Sequence, residues 1–334
     1  MCFLKKGYSL KRTSSGLRGL LAVDKPCKMT SHDVVNKLRR ALHERRIGHA
    51  GTLDPDASGV LVCGVGSATR LLGMLSADDK TYEARIVFGT QTTTDDAAGE
   101  VIQTKPVPAA LLQADVARRA LEALLGTHEQ LPPAYSAISI DGVRAYELAR
   151  TGRDPKLAPR TICVYEASLL HMSSTESAWN GESVVWDVRL HVSKGTYIRS
   201  IARDLGAALG TCAHIGGLRR LQSGSFELGS CVSLAQLEEL QELDVEARTA
   251  ELEKLWVDPA HALGYPTRVL TAAEMDDIRC GRPIAVQTQA KPQQVSSQRV
   301  SLLFQNKLVG VYEQQDSRLV CVVNLLDGIS GVQS

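Results

Sequence analysis

The sequence predicts an α+β protein, one large domain followed by a small β-rich one. Residues 60–65, Val-Leu-Val-Cys-Gly-Val, are apolar and β-branched and read as a buried strand. In residues 80–88, Tyr82, Ala84, Ile86 and Phe88 fall on one side of an alternating pattern, as in a half-buried strand. After Tyr265-Pro266 the mixed pattern gives way to short strands. A chain of 334 residues fits about two domains, and an apolar content of 44% is ordinary for one that buries a real core.

Each element has a local reason. Residues 19–23 form a short strand ending at Asp24-Lys25-Pro26. Thr30 or Ser31 caps a helix running to about His43, with Val34, Val35, Leu38, Ala41 and Leu42 on its apolar face. Residues 46–59 form a polar, glycine-punctuated loop that feeds the 60–65 strand. Residues 68–75 read as helix, 80–88 as strand and 92–99 as a polar loop. An amphipathic helix is expected over 108–125, interrupted afterwards by Leu131-Pro132-Pro133. Residues 135–152 are polar and basic and look like an insertion, with a short helix around 146–150. Strands over 161–171 and 182–192 flank a polar loop at 173–181. Lys194-Gly195-Thr196-Tyr197-Ile198-Arg199 opens a helix to about Leu209, and a glycine-flanked segment around Leu218 precedes a short strand near Phe226. An acidic helix spans 233–255, and a boundary falls near 262–265. Beyond it come a helix at 270–280, a polar connector at 292–298 and strands at 300–304, 307–312 and 319–325.

Charge is balanced overall, with 38 Lys and Arg against 37 Asp and Glu, so net charge does not argue for nucleic acid. Its distribution is uneven. Residues 37–46 hold five basic residues and one acid, whereas 236–258 hold eight acids and two bases. Such segregation can make a positive face on a neutral protein. The eight cysteines contain no Cys-x-x-Cys pair, so no zinc ribbon or redox pair is suggested. Residues 1–18 form a basic arm without the long apolar core of a secretory signal, and the scattered cysteines fit a reducing cytoplasm. No apolar run reaches membrane-spanning length.

Asp54 is the first candidate for chemistry. Pro55 restricts its backbone to extended geometry, and the adjoining strand fixes its loop. From these residues alone it is either a turn residue bonding backbone N–H groups or a carboxylate presented for reaction. Tyr82, Arg199 and Leu218, taken singly, read equally well as core or surface residues.

Together these segments resemble a known family. Val23-Asp24-Lys25-Pro26, then residues 48–61 (Gly-His-Ala-Gly-Thr-Leu-Asp-Pro-Asp-Ala-Ser-Gly-Val-Leu), then Lys80-Thr81-Tyr82, then residues 194–199, then Leu218-Arg219-Arg220 follow the order of the TruB family, the tRNA pseudouridine-55 synthases. The resemblance is strong to about Phe226 and weak after Tyr265. Gln222-Ser223-Gly224 departs from it, because the family usually has a basic residue before Ser-Gly. The resemblance implies the pseudouridine synthase fold: a central mixed, largely antiparallel sheet flanked by helices, over residues 19–262, with a PUA-like β domain over 263–334. Residues 130–157 are similar to the RNA-gripping insertion of stand-alone bacterial enzymes.

The implied reaction breaks the N1–C1′ bond of one T-loop uridine and re-forms it as C5–C1′. Nothing is oxidised or consumed, so no cofactor and no metal are expected. The resemblance implies Asp54 as the essential carboxylate, paired with Arg199. It implies Tyr82 stacked on a flipped base and Leu218 closing the other side. Tyr197 would be set by the same turn as Arg199, and His49 would fill the space the base vacates. Lys25, Arg144, Arg150 and Arg219 would bind the RNA, with further phosphate contacts from the 37–46 basic run and from Arg220 beside Arg219. The expected partner is the tRNA T arm, with no membrane, no obligatory protein partner and a monomeric, cytoplasmic protein. Two other readings remain: a tRNA-folding helper that flips bases as its main task, and a guide-RNA-dependent synthase.

Overall fold

The computed structural model describes residues 15–177, 181–285 and 299–333. The basic arm up to residue 14 and the connector at 292–298 lie outside the described residues.

A nine-stranded mixed sheet forms the centre among the described residues. Its main path runs Gly19–Lys25, Ala57–Val65, Ala213–Ser223, Lys80–Phe88, Gly181–Val192, Arg160–Ser177 and Gly126–Gln130. Ala213–Ser223 pairs parallel with Ala57–Val65, and the other pairs are antiparallel. The alternation read in 80–88 is realised. Tyr82, Ala84, Ile86 and Phe88 bury one face together with Trp186, Val188 and Leu190. Trp186 packs edge-on to Phe88, with ring centroids 4.6 Å apart, and its indole N–H donates to the Leu111 carbonyl at 2.9 Å. On the other flank, the capped helix Ser31–Ala41 lays Val34, Val35 and Leu38 on the Leu21, Val23, Leu61 and Cys63 side chains.

Several expectations need correction. The helix expected over 108–125 is two pieces, a 3₁₀ turn at Ala109–Leu112 and a helix at Ala114–Glu122. Gln113 between them is extended, with φ −97° and ψ 120°. The acidic helix divides at Leu243, where Asp244 caps a second helix by accepting from the Ala247 N–H at 2.8 Å. Residues 173–177, expected in a loop, continue the Arg160–Ser177 strand. Within the expected 46–59 loop, Ile47–Ala50 is a strand and Ala57–Gly59 already belongs to the next one. The glycine-flanked segment around Leu218, to which the sequence assigns no element, belongs to the central strand Ala213–Ser223.

A second sheet of five strands is ordered Thr267–Val269, Arg299–Phe304, Lys307–Gln315, Arg318–Ile329 and Ile284–Ala285. It packs onto the first part of the chain. Leu308, Val311, Leu325 and Ile329 share one apolar cluster with Leu20, Val60, Val62 and Leu71. Among the described residues, no helix is long and apolar enough to cross a membrane.

Candidate active site

The Gly51–Asp56 loop is held from below by three side chains. Ser31 both accepts from the Leu53 N–H, at 3.0 Å, and donates to the Leu53 carbonyl, at 3.1 Å. Arg220 donates to the Gly51 carbonyl at 2.9 Å and to the Val60 carbonyl at 2.7 Å. Lys25, fully buried, donates to the carbonyls of Pro26, Met29 and Pro55 at 2.9, 2.6 and 3.2 Å. Gly59 must be glycine. Its φ is +103°, and a Cβ there would lie 2.1 Å from the Arg220 carbonyl oxygen.

Asp54 stands on this support. Arg199 grips it with a two-point fork, Nε to Oδ2 at 2.9 Å and Nη2 to Oδ1 at 3.2 Å. The Asp54 side chain is 38% exposed and that of Arg199 only 6%, so the guanidinium backs a carboxylate that faces the opening. Arg199 also donates to the carbonyls of Thr94 and Tyr135, both at 3.0 Å, and lies 3.7 Å from Asp96. Burial is the largest influence on the Asp54 carboxyl and pushes its pKa up. Arg199 and Lys25 pull it back down, and Asp96 pushes it up further. Pairing with Arg199 favours the charged carboxylate, and desolvation opposes it.

Tyr197 stands immediately before the Ile198–Ala208 helix that carries Arg199. Its backbone is clamped by Gln130, whose amide accepts from the Tyr197 N–H at 2.8 Å and donates to its carbonyl at 3.1 Å. Burial raises the pKa of its phenol. Asp54, Tyr82, Tyr197, Arg199 and Leu218 line one cavity of about 430 Å³, a size typical of small-molecule sites. Five of the ten expected site residues thus meet, from strands and loops far apart in the chain.

The other five do not line it. Lys25 is below the loop, spent on carbonyls. His49 is on the Ile47–Ala50 strand opposite Cys63, half-buried, with a buried Nδ1 that has no partner among the described residues. Burial first, then the charges of Arg220 and His32, lower its pKa and favour the neutral ring. Arg219 turns to the opposite face of the sheet from Leu218 and pairs with Asp24 at 2.8 Å. In the insertion, Arg144 donates to the Ala137 carbonyl at 2.6 Å, and Arg150 lies over the Tyr146 ring at 5.5 Å. The basic run at 37–46 is also partly engaged by protein. Lys37 pairs with Glu238 on the acidic helix at 3.1 Å, and Arg39 donates to the Arg45 and Ile47 carbonyls.

Sequence reasoning missed Lys80 and Gln130 as parts of the site. Lys80 had a signal, since it lies two residues before Tyr82 on the same strand face. Arg220 is expected from sequence, with Arg219, to contact phosphate, but its hold on the Gly51 and Val60 carbonyls gave no local signal, nor did Gln130.

Lys25→Met is expected to leave three carbonyls without their donor and to lower stability by about 2–4 kcal/mol. Thermal denaturation checks this, and an unchanged Tm would contradict the bracing role.

Comparison with known proteins follows the same lines. The N-terminal domain of the TruB family pseudouridylate synthases matches residues 39–198, and the tRNA pseudouridylate synthase B C-terminal domain matches residues 199–263. The tRNA pseudouridine synthase B of Mycobacteroides abscessus is 40% identical over 308 residues, 92% of this chain and 96% of the relative. This chain belongs to the TruB family. Another TruB relative, tRNA pseudouridine synthase B of Bacillus thuringiensis strain Al Hakam, is 39% identical over 79% of this chain and 83% of its own length. The TruB fold extends to a solved Cbf5-Nop10-Gar1 complex, with a TM-score of 0.62 at 24% identity, covering 92% of this chain and 83% of that one. At that identity the likeness shows the fold alone.

Proposed function

We propose that this chain converts the T-loop uridine at position 55 of tRNA to pseudouridine, with Asp54 as the essential carboxylate and without a guide RNA or protein partner. The observation that supports it most is the Asp54–Arg199 fork opening into a cavity flanked by Tyr82 and Leu218, in a chain of the TruB family.

The reaction is an isomerisation. The N1–C1′ bond breaks, the uracil turns while held, and C5 bonds to C1′. C5 then loses its proton and N1 ends with one, so no atom is gained or lost. Asp54 acts on the reacting nucleotide as nucleophile or as stabiliser of the charge that develops when the glycosidic bond breaks. Arg199 fixes its rotamer through two contacts. Tyr82 supplies a flat face for the flipped base and a hydroxyl that relays the C5 proton, taking it up as its own proton passes to water. Leu218 covers the other side and keeps out water, which would otherwise trap the intermediate.

Extruding a stacked base costs a few kcal/mol, which contacts elsewhere on the RNA must offset. Arg144 and Arg150 of the insertion and the C-terminal sheet, read as a PUA-like module, supply these contacts in our reading. The protein works as a cytoplasmic monomer.

Incubation of the lone protein with an unmodified tRNA transcript at low salt, followed by chemical mapping, tests this. A single T-loop product is expected, and no product there overturns it. Tyr82→Phe is expected to keep RNA affinity within about threefold but to slow product formation by about 10²-fold. Tyr82→Leu, which also loses the stacking face, is expected to weaken both. Single-turnover rates and equilibrium binding separate the two effects.

A further inference from the structure

One end of the cleft holds two buried cations that the scheme above does not use. Lys80 is 7% exposed and Arg220 is 1% exposed, and both line the cavity. They converge on Gly51: a Cβ at that position would lie 3.4 Å from Arg220 Nη1 and 3.8 Å from Lys80 Cε. The Lys80 ammonium donates to the Ser76 carbonyl at 2.9 Å and to the Asp78 carbonyl, which leaves its third proton without a partner among the described residues. Arg220 spends Nε and Nη2 on the Val60 and Gly51 carbonyls, and Nη1 has no partner among the described residues.

Neither cation is ion-paired with a carboxylate among the described residues. Two cations taken out of water without an ion-pair partner are costly. Burial, followed by the charge of Arg220, lowers the Lys80 pKa to about 8, against the opposing pull of Asp78 and Asp79, and Lys194 adds to the lowering. An anion entering this end would offset that cost and satisfy the free N–H groups.

The geometry also indicates which anion fits. Lys80 precedes Tyr82 by two residues on the same strand face, about 7 Å along the strand. A base stacked on Tyr82 carries its ribose and phosphate a similar short distance away. We propose that Lys80 and Arg220 form a subsite for a backbone phosphodiester next to the flipped uridine. This rests on the reading that a uridine nucleotide enters the cleft. The subsite holds the ribose still while the uracil turns, so the freed base pivots against a fixed C1′.

The test uses the full chain in the Asp54→Asn background, so that the RNA stays unconverted, and synthetic T-arm stem-loops. One RNA has only phosphates. Two others carry a single neutral methylphosphonate, 5′ or 3′ to the target uridine. At one of the two linkages, neutralisation is expected to weaken binding about tenfold for Lys80 and only about threefold for Lys80→Met, in which Arg220 remains, with the tenfold loss restored in Lys80→Arg. Equal losses in Lys80 and Lys80→Met would overturn the subsite. The RNA substitution leaves the protein unaltered, so an unvarying affinity of the Lys80 protein across all three RNAs overturns it without any variant. Conversion of the all-phosphate stem-loop by the wild-type chain is scored separately, so failure of the isomerase reading is distinguished from failure of the subsite.

Discussion

Asp54→Asn is expected to slow single-turnover pseudouridine formation by about 10⁴-fold or more while leaving tRNA binding within about tenfold. The amide keeps the shape of the carboxylate and removes its charge. Arg199 stays in place, because the carbonyls of Thr94 and Tyr135 and the carboxylate of Asp96 still hold it. Two opposing effects act on stability. Burial holds the folded Asp54 carboxyl at a raised pKa, so above the ordinary value of about 3.9 the ionised group lowers folded-state stability. The neutral amide removes that penalty but offers Arg199 one acceptor in place of two, so the Tm is expected to change little. The same direction of shift moves the acid limb of wild-type activity upward from that of an ordinary aspartate, with activity lost as pH falls. If Asp54→Asn instead lost binding and folding together, Asp54 would be a turn residue, the other reading open from its local sequence.

Arg199→Lys is expected to lower the single-turnover rate by about 10²–10³-fold, with tRNA affinity held within about threefold. The guanidinium serves both Asp54 oxygens and two carbonyls from one rigid plane. An ammonium has three protons and no plane, so it cannot meet all four acceptors. At least one of the buried carbonyls of Thr94 and Tyr135 then loses its donor, at a cost of about 1–3 kcal/mol. A lower Tm should accompany the lower rate. A rate within threefold of wild type would show that charge alone suffices at this position.

What the sequence revealed of the fold follows how local each signal was. The Lys80–Phe88 strand and the helix after Thr30 were legible because a period of two and a capped apolar stripe each lie within about ten residues. The Ala213–Ser223 strand was not. Gly216 and Gly217 show no side-chain alternation, and Arg220, a buried residue, carries a charge that marks it as surface. Its burial is made possible by carbonyls of Gly51 and Val60, some 160 residues away in sequence. The break at Leu243 had a visible cause in the capping Asp244, whereas the break at Gln113 had none.

The site divides in the same way. Asp54 and Arg199 are 145 residues apart, and no local pattern joins them, so only the resemblance to the TruB family suggested their pairing. That resemblance marks segments rather than side-chain directions. Lys25 and Arg219 sit in the matching segments, yet one braces the Asp54 loop from below and the other turns to the far face of the sheet. Lys80 sits in such a segment as well and lines the cleft.

The most direct test of the central claim is release of the C5 proton. A tRNA transcript made with uridine tritiated at C5 is incubated with the lone protein, and tritium appearing in water is counted per tRNA. One equivalent is expected from the unmodified transcript, and none from a transcript whose T-loop target uridine is replaced by cytidine. Undiminished release from the cytidine-substituted RNA, or no release from either, would contradict the account.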